Sequence, residues 1–582
     1  GPHSFYWILL QPQTEAEASG AATPPARNVA EIRGEEAWEH LFTRSGTRRL
    51  EAALRQDLEQ SASREHRRPP RAVRLRESFR VPYADTAAYL AIVDVEYAEW
   101  TPETLAIPIA FASSAEVAGW ATGAEPPVIA RIEGPHAGVL LSAYFVPAFC
   151  ETLLQIISRR KTVPGSDGGE LVVWPGAAFD RLREPAADSL SSSRGTLPQT
   201  NTSIQFGNRL VLKVYRRIED GTHPEPEIGR FLTDVSPFEF VAPFAASVEY
   251  RSRRSEPMTL AVLHGFVPNE GDAWQYTLDL LSVFFERVAT ISPPPPDRPP
   301  PLRLRLNEHE APPPPLASEL LHGFLDMIRL LGRRLAELHR ALAGDRSHAT
   351  FAPEPFSLQY QRAMYQSMRN LLFDVLYDLE RVAAKLPPDV AARAGEIPLF
   401  QGNILRELHS IVTSRVRAER IHRHGDCQLH QILFTGKDFI FIDFEGRPTL
   451  SVGERWIKTS PLRDVVTLLR SFDYAAHATL FGLASGRGRA TGVVRNEDRQ
   501  ALLPWLRVWR TWVHDSLLAG YLETCAGDAL LPASVEERNL LFRVLLLDKL
   551  LSEIDVELAT RPAWLDVPLT GLLEAVKPES AS

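Results

Sequence analysis

The sequence predicts an α+β fold, because its two halves carry different patterns. The first half is rich in strand-forming residues, and its clearest element is IQFGNRLVLKVYRR at 204–217, two β-rich arms around Gly207 and Asn208. The second half is largely helical, since residues 317–390 and 460–580 repeat apolar side chains at i, i+3 and i+4. Strand-rich and helix-rich segments that follow one another along a chain are typical of this class.

Composition places the chain among ordinary globular proteins. It has 582 residues, 44% hydrophobic and 24% charged, with a net charge of -9, and a length that predicts about three or four structural units. The acidic balance excludes a basic protein that binds nucleic acid. The most apolar stretch, at 540–551, is interrupted by three charged residues, which excludes a membrane span. Three scattered cysteines favour a reducing, cytoplasmic compartment.

Composition and pattern also divide the chain into segments. In chain order we predict an isolated strand (1–12), a linker rich in Ala, Glu, Thr and Pro (13–35), a separate α+β unit (36–160), a strand-rich lobe with the hairpin and a helix (161–268), and a helical lobe (269–582) that carries a proline-rich insertion (293–315). The chain opens with Gly1 rather than Met, which indicates a fragment.

The unit at 36–160 is predicted from four elements. Helical patterns at Trp38–Phe42 and Leu50–Leu58 precede strand-like runs at 89–98 and 127–132. Helices that precede strands in this way predict a small α+β unit of its own.

The stretch most informative about chemistry is HGDCQLHQILFTGKDFIFIDFEGRP, residues 424–448. Asp426 lies in a polar turn, Gln431 follows five positions later, and Asp443 ends the apolar run FIFI. A carboxylate that accepts a proton from a hydroxyl, together with oxygen ligands for Mg²⁺, is what phosphoryl transfer requires. The spacing resembles the HRDxxxxN and DFG motifs of protein kinases, with Gln in place of Asn. Alone, the HGD tripeptide equally fits a hydrogen-bonded loop carboxylate.

The hairpin and the helix after it supply a second set of candidates. Lys213 alternates with apolar residues on the second arm, as expected of a lysine that reaches nucleotide phosphates, and Glu227 in a Pro-initiated helix is its predicted ion-pair partner. Before the hairpin, Asn201, Thr202 and Ser203 offer donors that could cover phosphates. The order of hairpin lysine, helix glutamate, catalytic loop and metal aspartate is that of a bilobal kinase.

Several long blocks in this order resemble one family. NTSIQFGNRLVLKVYRRIEDGTHPEPEIGRFLTD, LAVLHGFVPNEGDAWQYTLDLL, the HGD to IDFEGRP block and SPLRDVVTLLRSFDYAA are similar to maltokinase, an aminoglycoside-phosphotransferase-like sugar kinase, over about 36–575. The resemblance implies a bilobal protein-kinase-like fold with an N-terminal cap subdomain. It also implies ATP- and Mg²⁺-dependent phosphorylation of the anomeric hydroxyl of maltose, which supplies α-glucan synthesis. The opening GPHSFYWILLQP is similar to the last strand of trehalose synthase, which implies a fused or separate trehalose synthase as partner.

The resemblance assigns roles to individual positions. It implies Asp426 as the catalytic base, Gln431 and Asp443 as Mg²⁺ ligands, Lys213 as the phosphate-binding lysine with Glu227 as its partner, Leu263, Gly265 and Val267 as the hinge against adenine, and Lys549, Glu553, Glu445, Gln428 and Trp564 on the acceptor side. For Glu445, a place near the metal, a solvated position and contact with the sugar are equally compatible. Asp464, in the helix that starts SPLRD, is expected to brace the catalytic loop.

Three positions depart from the family pattern and leave two alternatives. Gln428 stands where the family has His, and Ser552 and Val556 replace tyrosines of the acceptor helix. Aromatic faces help a pocket to hold a sugar ring, so an acceptor other than maltose, such as glucosamine, is the first alternative. The second alternative is a non-catalytic module that assists a fused trehalose synthase.

Overall fold

The protein is described by a computed structural model of part of the chain. It covers residues 28–34, 36–64, 69–98, 100–118, 127–183, 191–194, 201–253, 255–291, 315–321, 323–482, 494 and 497–577. The predicted strand at 1–12 lies outside these residues, as do most of the linker and all but the last residue of the proline-rich insertion. The chain forms two compact units, divided between Val146 and Pro147.

The first unit is a sheet with one long helix against it. Its elements are β1 (Ala30–Arg33), α1 (Thr47–Arg64), β2 (Ala72–Tyr83), β3 (Thr86–Glu96), β4 (Glu103–Ser113), α2 (Ser114–Ala118), β5 (Val128–Glu133) and β6 (Gly138–Ser142). The strand order is β1-β5-β6-β4-β3-β2, with β1 parallel to β5. Leu50 and Leu54 of α1 and Val93 of β3 belong to the core between helix and sheet. The α+β character predicted for this region is observed.

One expectation for this unit needs correction, and another becomes more specific. The linker predicted at 13–35 ends in strand β1, where Ala30 and Ile32 are buried and alternate with exposed residues. Such alternation is a strand pattern, and the parallel pairing with β5 stabilises it. The helical pattern at Trp38–Phe42 forms a short 3₁₀ helix.

The second unit begins with a strand-rich lobe. It contains α3 (Pro147–Ser158), β7 (Val163–Pro164), β8 (Glu170–Pro175), α4 (Phe179–Arg183), β9 (Ser192–Arg194), β10 (Thr202–Phe206), β11 (Leu210–Val214), β12 (Arg217–Ile218), α5 (Pro224–Arg230), β13 (Phe244–Ser252) and β14 (Ser255–Gly265). Its main sheet has the order β7-β8-β13-β14-β11-β10-β9. Because α3 contacts β9, this lobe starts at Pro147 and not at the predicted residue 161.

The predicted hairpin at 204–217 corresponds to β10 and β11. The two strands are antiparallel, and Ser203 is paired with Lys213. Gly207 has a φ of +56°, a conformation that glycine adopts without a steric penalty. Lys213 therefore lies on a strand that is hydrogen-bonded on both sides, to β10 and to β14.

The remainder of the second unit is mainly helical. Its elements are α6 (Ala273–Val288), α7 (Pro315–Leu321), α8 (Phe324–Leu342), β15 (Glu354–Pro355), α9 (Leu358–Val382), α10 (Pro388–Glu396), α11 (Gln401–Thr413), β16 (Glu419–Arg420), β17 (Ile432–Phe434), β18 (Phe439–Phe441), α12 (Val452–Arg455), α13 (Leu462–Phe481), α14 (Arg499–Thr524), α15 (Val535–Thr560) and α16 (Asp566–Val576). Helix α13 lies at the centre, since nearly all of its side chains are buried. Among the described helices, none has the length and apolarity to cross a membrane.

Candidate active site

A cavity of about 350 Å³ lies between the sheet of the strand-rich lobe and the β17–β18 hairpin of the helical lobe. One wall comes from the strand-rich lobe, including helix α5, and the segment after it, namely Asn201, Ser203, Val211, Lys213, Glu225, Gly229, Val241, Ala242, His264, Gly265, Phe266, Val267, Asn269, Gly271 and Asp272. The other comes from the hairpin and its flanks, namely His430, Gln431, Leu433, Phe441, Ile442, Asp443 and Phe444. The cavity thus brings together predicted residues that are more than 200 positions apart.

Three carboxylates surround the Lys213 ammonium. Its Nζ lies 2.6 Å from Glu225 and 3.5 Å from Glu445, and it also contacts Asp443. Burial lowers the pKa of Lys213, but the neighbouring carboxylates, first Asp443 and then Glu225, outweigh burial and raise the pKa overall. Lys213 is therefore a fixed cation on the cavity wall.

The predicted partner of Lys213 is wrong by two positions. Glu225 makes the ion pair, whereas Glu227 pairs with Arg230 at 3.2 Å on the outer side of α5. Successive residues of a helix are about 100° apart, so positions two apart lie on nearly opposite faces. Glu225 is 1% exposed, and Lys213 and His264 lower its pKa against the effect of burial.

Three further residues near Glu225 were not predicted from the sequence. His264 Nε2 lies 3.2 Å from one Glu225 oxygen, and the Tyr215 hydroxyl donates to the other at 2.5 Å. His223 caps α5 by accepting from the Glu225 backbone N–H, and burial lowers its pKa to about 3. His264 shares the strand pattern of LAVLHGFV, which could have indicated it as a neighbour of the predicted hinge.

The predicted hinge and phosphate-covering residues are only partly on the cavity wall. Gly265 and Val267 line the cavity, but Leu263 does not and is fully buried in the core. Asn201 and Ser203 also line it, whereas Thr202 does not. Because side chains alternate across a strand, Leu263 faces away from the cavity that its neighbour His264 lines, and Thr202 faces away from the cavity that Asn201 and Ser203 line.

The catalytic loop predicted around Asp426 is anchored to the start of α13. Asp464 accepts hydrogen bonds from the backbone N–H groups of His424 at 2.8 Å and Gly425 at 3.2 Å. It also binds the Arg423 guanidinium at 2.5 Å and His339 at 3.2 Å. Burial raises the pKa of Asp464, but Arg423 and His339 outweigh burial and lower it overall. The bracing role expected of Asp464 is observed.

Two glycines bring the catalytic loop against the loop that follows Asp443. Gly425 has a φ of +91°, and a Cβ there would lie 2.9 Å from the Cα of Gly446. Asp443 has a φ of +70°, which is unusual for a residue other than glycine and clusters at functional sites. The HGD and DFEG segments therefore pack against each other, and their close approach requires a glycine at position 425.

Asp426 lies beside this structure and outside the described cavity wall. The Gln428 amide donates to Asp426 Oδ1 at 2.7 Å, so Gln428 contacts the predicted base directly. Arg447 and Lys549 are close enough to Asp426 for its charge to affect their pKa values, although burial is the larger effect and lowers both. We name these four residues, Asp426, Gln428, Arg447 and Lys549, the acceptor wall after the role predicted for Gln428 and Lys549.

The other predicted acceptor residues have partners within the protein. Lys549 and Arg470 both bind Glu553, at 3.4 and 2.9 Å. Trp564 is 5% exposed and stacks on Tyr474, with ring centroids 5.6 Å apart, so it packs in the core. The Ser552 hydroxyl accepts from Arg447 at 3.0 Å. Arg447, Arg470 and Ser552 are thus protein partners of one another or of the predicted acceptor residues.

Oxygen ligands for a divalent cation are present around Lys213. Glu225, Asp443 and Glu445 each offer a carboxylate oxygen, and these oxygens lie within 4.8 Å of one another. Burial raises the pKa of Glu445 to about 8, with Lys213 opposing the rise and Asp443 adding to it. Hard oxygen ligands are what Mg²⁺ prefers, so the donor set fits this ion.

Comparison with solved structures identifies the fold. A structure of glucosamine kinase in complex with glucosamine, ADP and inorganic phosphate matches with a TM-score of 0.54 and 17% identity, over 87% of this chain and 94% of that chain. The chain has a bilobal, kinase-like fold. Two further glucosamine kinase structures, crystal forms B and A, match with the same TM-score, at 17% and 18% identity over 87% and 88% of this chain and 94% and 93% of theirs. No family model matches the sequence.

Proposed function

We propose that this protein is an ATP-dependent sugar kinase. The observation that carries the proposal is the cavity at which Lys213, Gln431 and Asp443 meet, between the two lobes of a kinase-like fold. Three kinds of group position a metal-bound triphosphate. They are a lysine on a central strand, an amide at one end of a β-hairpin and a carboxylate at its other end. The ligands named in the glucosamine kinase complex include ADP, which agrees with nucleotide binding in this cavity.

The proposed roles follow from position. Asp426 accepts the proton of the acceptor hydroxyl. The hydroxyl oxygen bonds to the γ-phosphorus of ATP, and the bond between that phosphorus and the oxygen that leaves with ADP breaks. Lys213 holds phosphate oxygens, and Glu225 holds Lys213. Gln431 and Asp443 would hold Mg²⁺, with Glu445 within reach. The ion, when bound, neutralises charge on the phosphates.

Maltose is the acceptor that we propose first, on the motif blocks that resemble maltokinase. The charge of the acceptor wall supports a neutral sugar. Arg447 donates to the Ser552 hydroxyl, and among the described residues no carboxylate pairs with its guanidinium within 4 Å, whereas Lys549 pairs with Glu553 at 3.4 Å. A further cation close to Arg447 would be repelled, which disfavours a protonated amino sugar.

Glucosamine is the second candidate, and one observation favours it. The three structures compared above are of glucosamine kinase. Asp426 itself and the buried Glu553 would offset the charge of an amino group. The two acceptors differ in charge and in size, so turnover distinguishes them directly.

The test is ADP release with ATP, Mg²⁺ and maltose, glucose, glucosamine or trehalose in parallel. We expect turnover with maltose and little with glucosamine. Turnover with glucosamine and little with maltose would indicate an amino-sugar kinase instead. Absence of turnover with every sugar, together with no ATP binding in calorimetry, would contradict the kinase proposal and favour a non-catalytic module.

A matched pair of variants tests the corrected ion pair. Glu225→Gln is expected to weaken ATP binding by about tenfold or more, because Lys213 loses a charged hydrogen-bond partner worth about 1.5–3 kcal/mol. Glu227→Gln removes the same charge from the same helix but should leave ATP affinity unchanged, since Glu227 pairs with Arg230. Calorimetric titration of both variants with Mg²⁺ and ATP is the measurement. Equal effects of the two substitutions would contradict the assignment.

A further inference from the structure

Helix α5 holds Glu225 in the site, yet the helix itself is short. It has seven residues, Pro224–Arg230, and an isolated helix of fewer than about 12 residues is marginally stable in water. Its position therefore depends on what contacts its two ends. Glu225 is 1% exposed and binds Lys213, so a displacement of α5 would separate the two side chains.

The start of α5 is bonded to residues at the end of α12. The Trp456 indole N–H donates to the Thr222 carbonyl at 2.6 Å, one residue before the His223 cap. Beside it, Arg455 Nη2 lies 2.7 Å from a carboxylate oxygen of Glu219 in the strand-rich lobe. The Arg455 side chain is 5% exposed, so solvent screens this ion pair little. Two polar contacts thus join the helical lobe to the residues before α5.

An aromatic contact fixes the other end of α5. Phe231, directly after the helix, stacks on Phe351 of the helical lobe, with ring centroids 3.9 Å apart and planes at 8°. Both residues are 2% exposed. Phe351 in turn packs edge to face on Trp456, with centroids 6.3 Å apart. The two ends of α5 therefore contact one cluster of side chains in the helical lobe.

Trp456 is anchored in the helical lobe. Its ring packs edge to face on His422, with centroids 4.8 Å apart. Two residues later, the buried Lys458 donates to the Ala352 carbonyl at 2.8 Å. These contacts hold the Trp456 indole in place, so its hydrogen bond to Thr222 determines where α5 begins.

Arg455 also contacts the loop that carries the proposed metal ligand Asp443. Its Nε donates to the Leu450 carbonyl at 2.8 Å, and its Cγ would lie 3.5 Å from a Cβ at Gly446. Gly446 follows Asp443 by three positions. One arginine thus packs against the Asp443 loop and pairs with Glu219, five residues before α5.

We propose that three residues of the helical lobe form an α5 clamp: Phe351, Arg455 and Trp456. They are positioning residues, because through α5 they hold Glu225, and with it Lys213, opposite the proposed metal ligands. All three lie outside the described cavity wall, so they act through the helix and not by contact with a nucleotide. This inference rests on the proposed nucleotide binding and adds the residues that hold that site together across the two lobes.

Hydrogen exchange of the α5 amides tests the clamp in the unliganded protein. Trp456→Phe removes the indole donor but keeps an aromatic ring against His422. It is expected to raise the exchange rates of the amides at 225–231 by about threefold or more, because α5 loses a hydrogen bond to the helical lobe and opens more often. Unchanged exchange of these amides would overturn the clamp, whether or not a nucleotide binds.

A double-mutant cycle tests whether the clamp supports nucleotide binding. Glu219→Gln and Arg455→Met are each expected to weaken binding of ATP with Mg²⁺ by about tenfold in calorimetry, within the range for residues that act through others. The double variant should bind no more weakly than Arg455→Met alone, because both substitutions break the same ion pair. Additive losses would contradict an effect through this pair.

Arg217→Gln is the matched control. It removes another cation that pairs with Glu219, at 2.8 Å, but Arg217 belongs to the strand-rich lobe itself. Its ATP affinity should stay within about twofold of wild type, and weakening equal to that of Glu219→Gln would contradict a clamp between the lobes. A wild-type protein that binds no ATP would contradict the kinase proposal instead, and the exchange rates would still decide the clamp. Melting curves check that each variant folds.

Discussion

Asp426→Asn is expected to lower turnover by about 10²- to 10⁴-fold, the usual contribution of a general base. The amide cannot take the proton of the acceptor hydroxyl, yet it keeps the size of the side chain and can still accept from the Gln428 amide. ATP affinity should be nearly unchanged, because Asp426 is not part of the described cavity wall. ADP release measures the first effect and calorimetry with Mg²⁺ and ATP the second.

The two readouts separate this role from a structural one. A variant that loses turnover and ATP affinity together, or that melts at a much lower temperature, would contradict the assignment of Asp426 as the base. Retention of turnover within a few-fold would contradict it as well. Glu227→Gln serves as a control, because it removes a carboxylate from the same unit but outside the cavity.

Asp464→Ala is expected to cost about 3–5 kcal/mol of unfolding free energy, the usual penalty for removing one partner of a buried ion pair. Asp464 is fully buried, and its loss would leave the Arg423 guanidinium and two backbone N–H groups without their acceptor. Urea unfolding is the measurement. The control is Asp279→Asn, an exposed carboxylate on α6, which should change stability by less than about 0.5 kcal/mol.

The effect of Asp464→Ala should also depend on pH. The pKa of Asp464 is lower in the folded protein than its ordinary value of about 3.9, so the carboxylate stabilises the fold fully above that value. Its contribution is lost as pH falls towards the lowered pKa. The difference in unfolding free energy between wild type and variant is therefore expected to be constant near neutral pH and to shrink below about pH 4. A difference that grows on acidification would contradict the lowered pKa.

Much of the fold could be predicted because its signals are local. The alternation around Gly207 specified the hairpin, and apolar spacing specified the helical second half. Strand β1 was missed because four residues at the end of a low-complexity stretch give too short an alternation to detect. The start of the second unit at Pro147 was missed because it depends on contacts of α3 with β9, which are distant in sequence.

The sequence by itself determined the order of the chemical groups: a lysine on a hairpin strand, an acidic helix, the HGD motif, and the DFEG motif at the end of an apolar run. These are short-range patterns that the residue types specify directly. Only the tertiary structure decided that Glu225 and not Glu227 binds Lys213, because the rotation of α5 about its axis is set by what the helix packs against. It also decided that Trp564 is a core residue and that Trp456 binds the Thr222 carbonyl, since both depend on contacts between segments far apart in the chain.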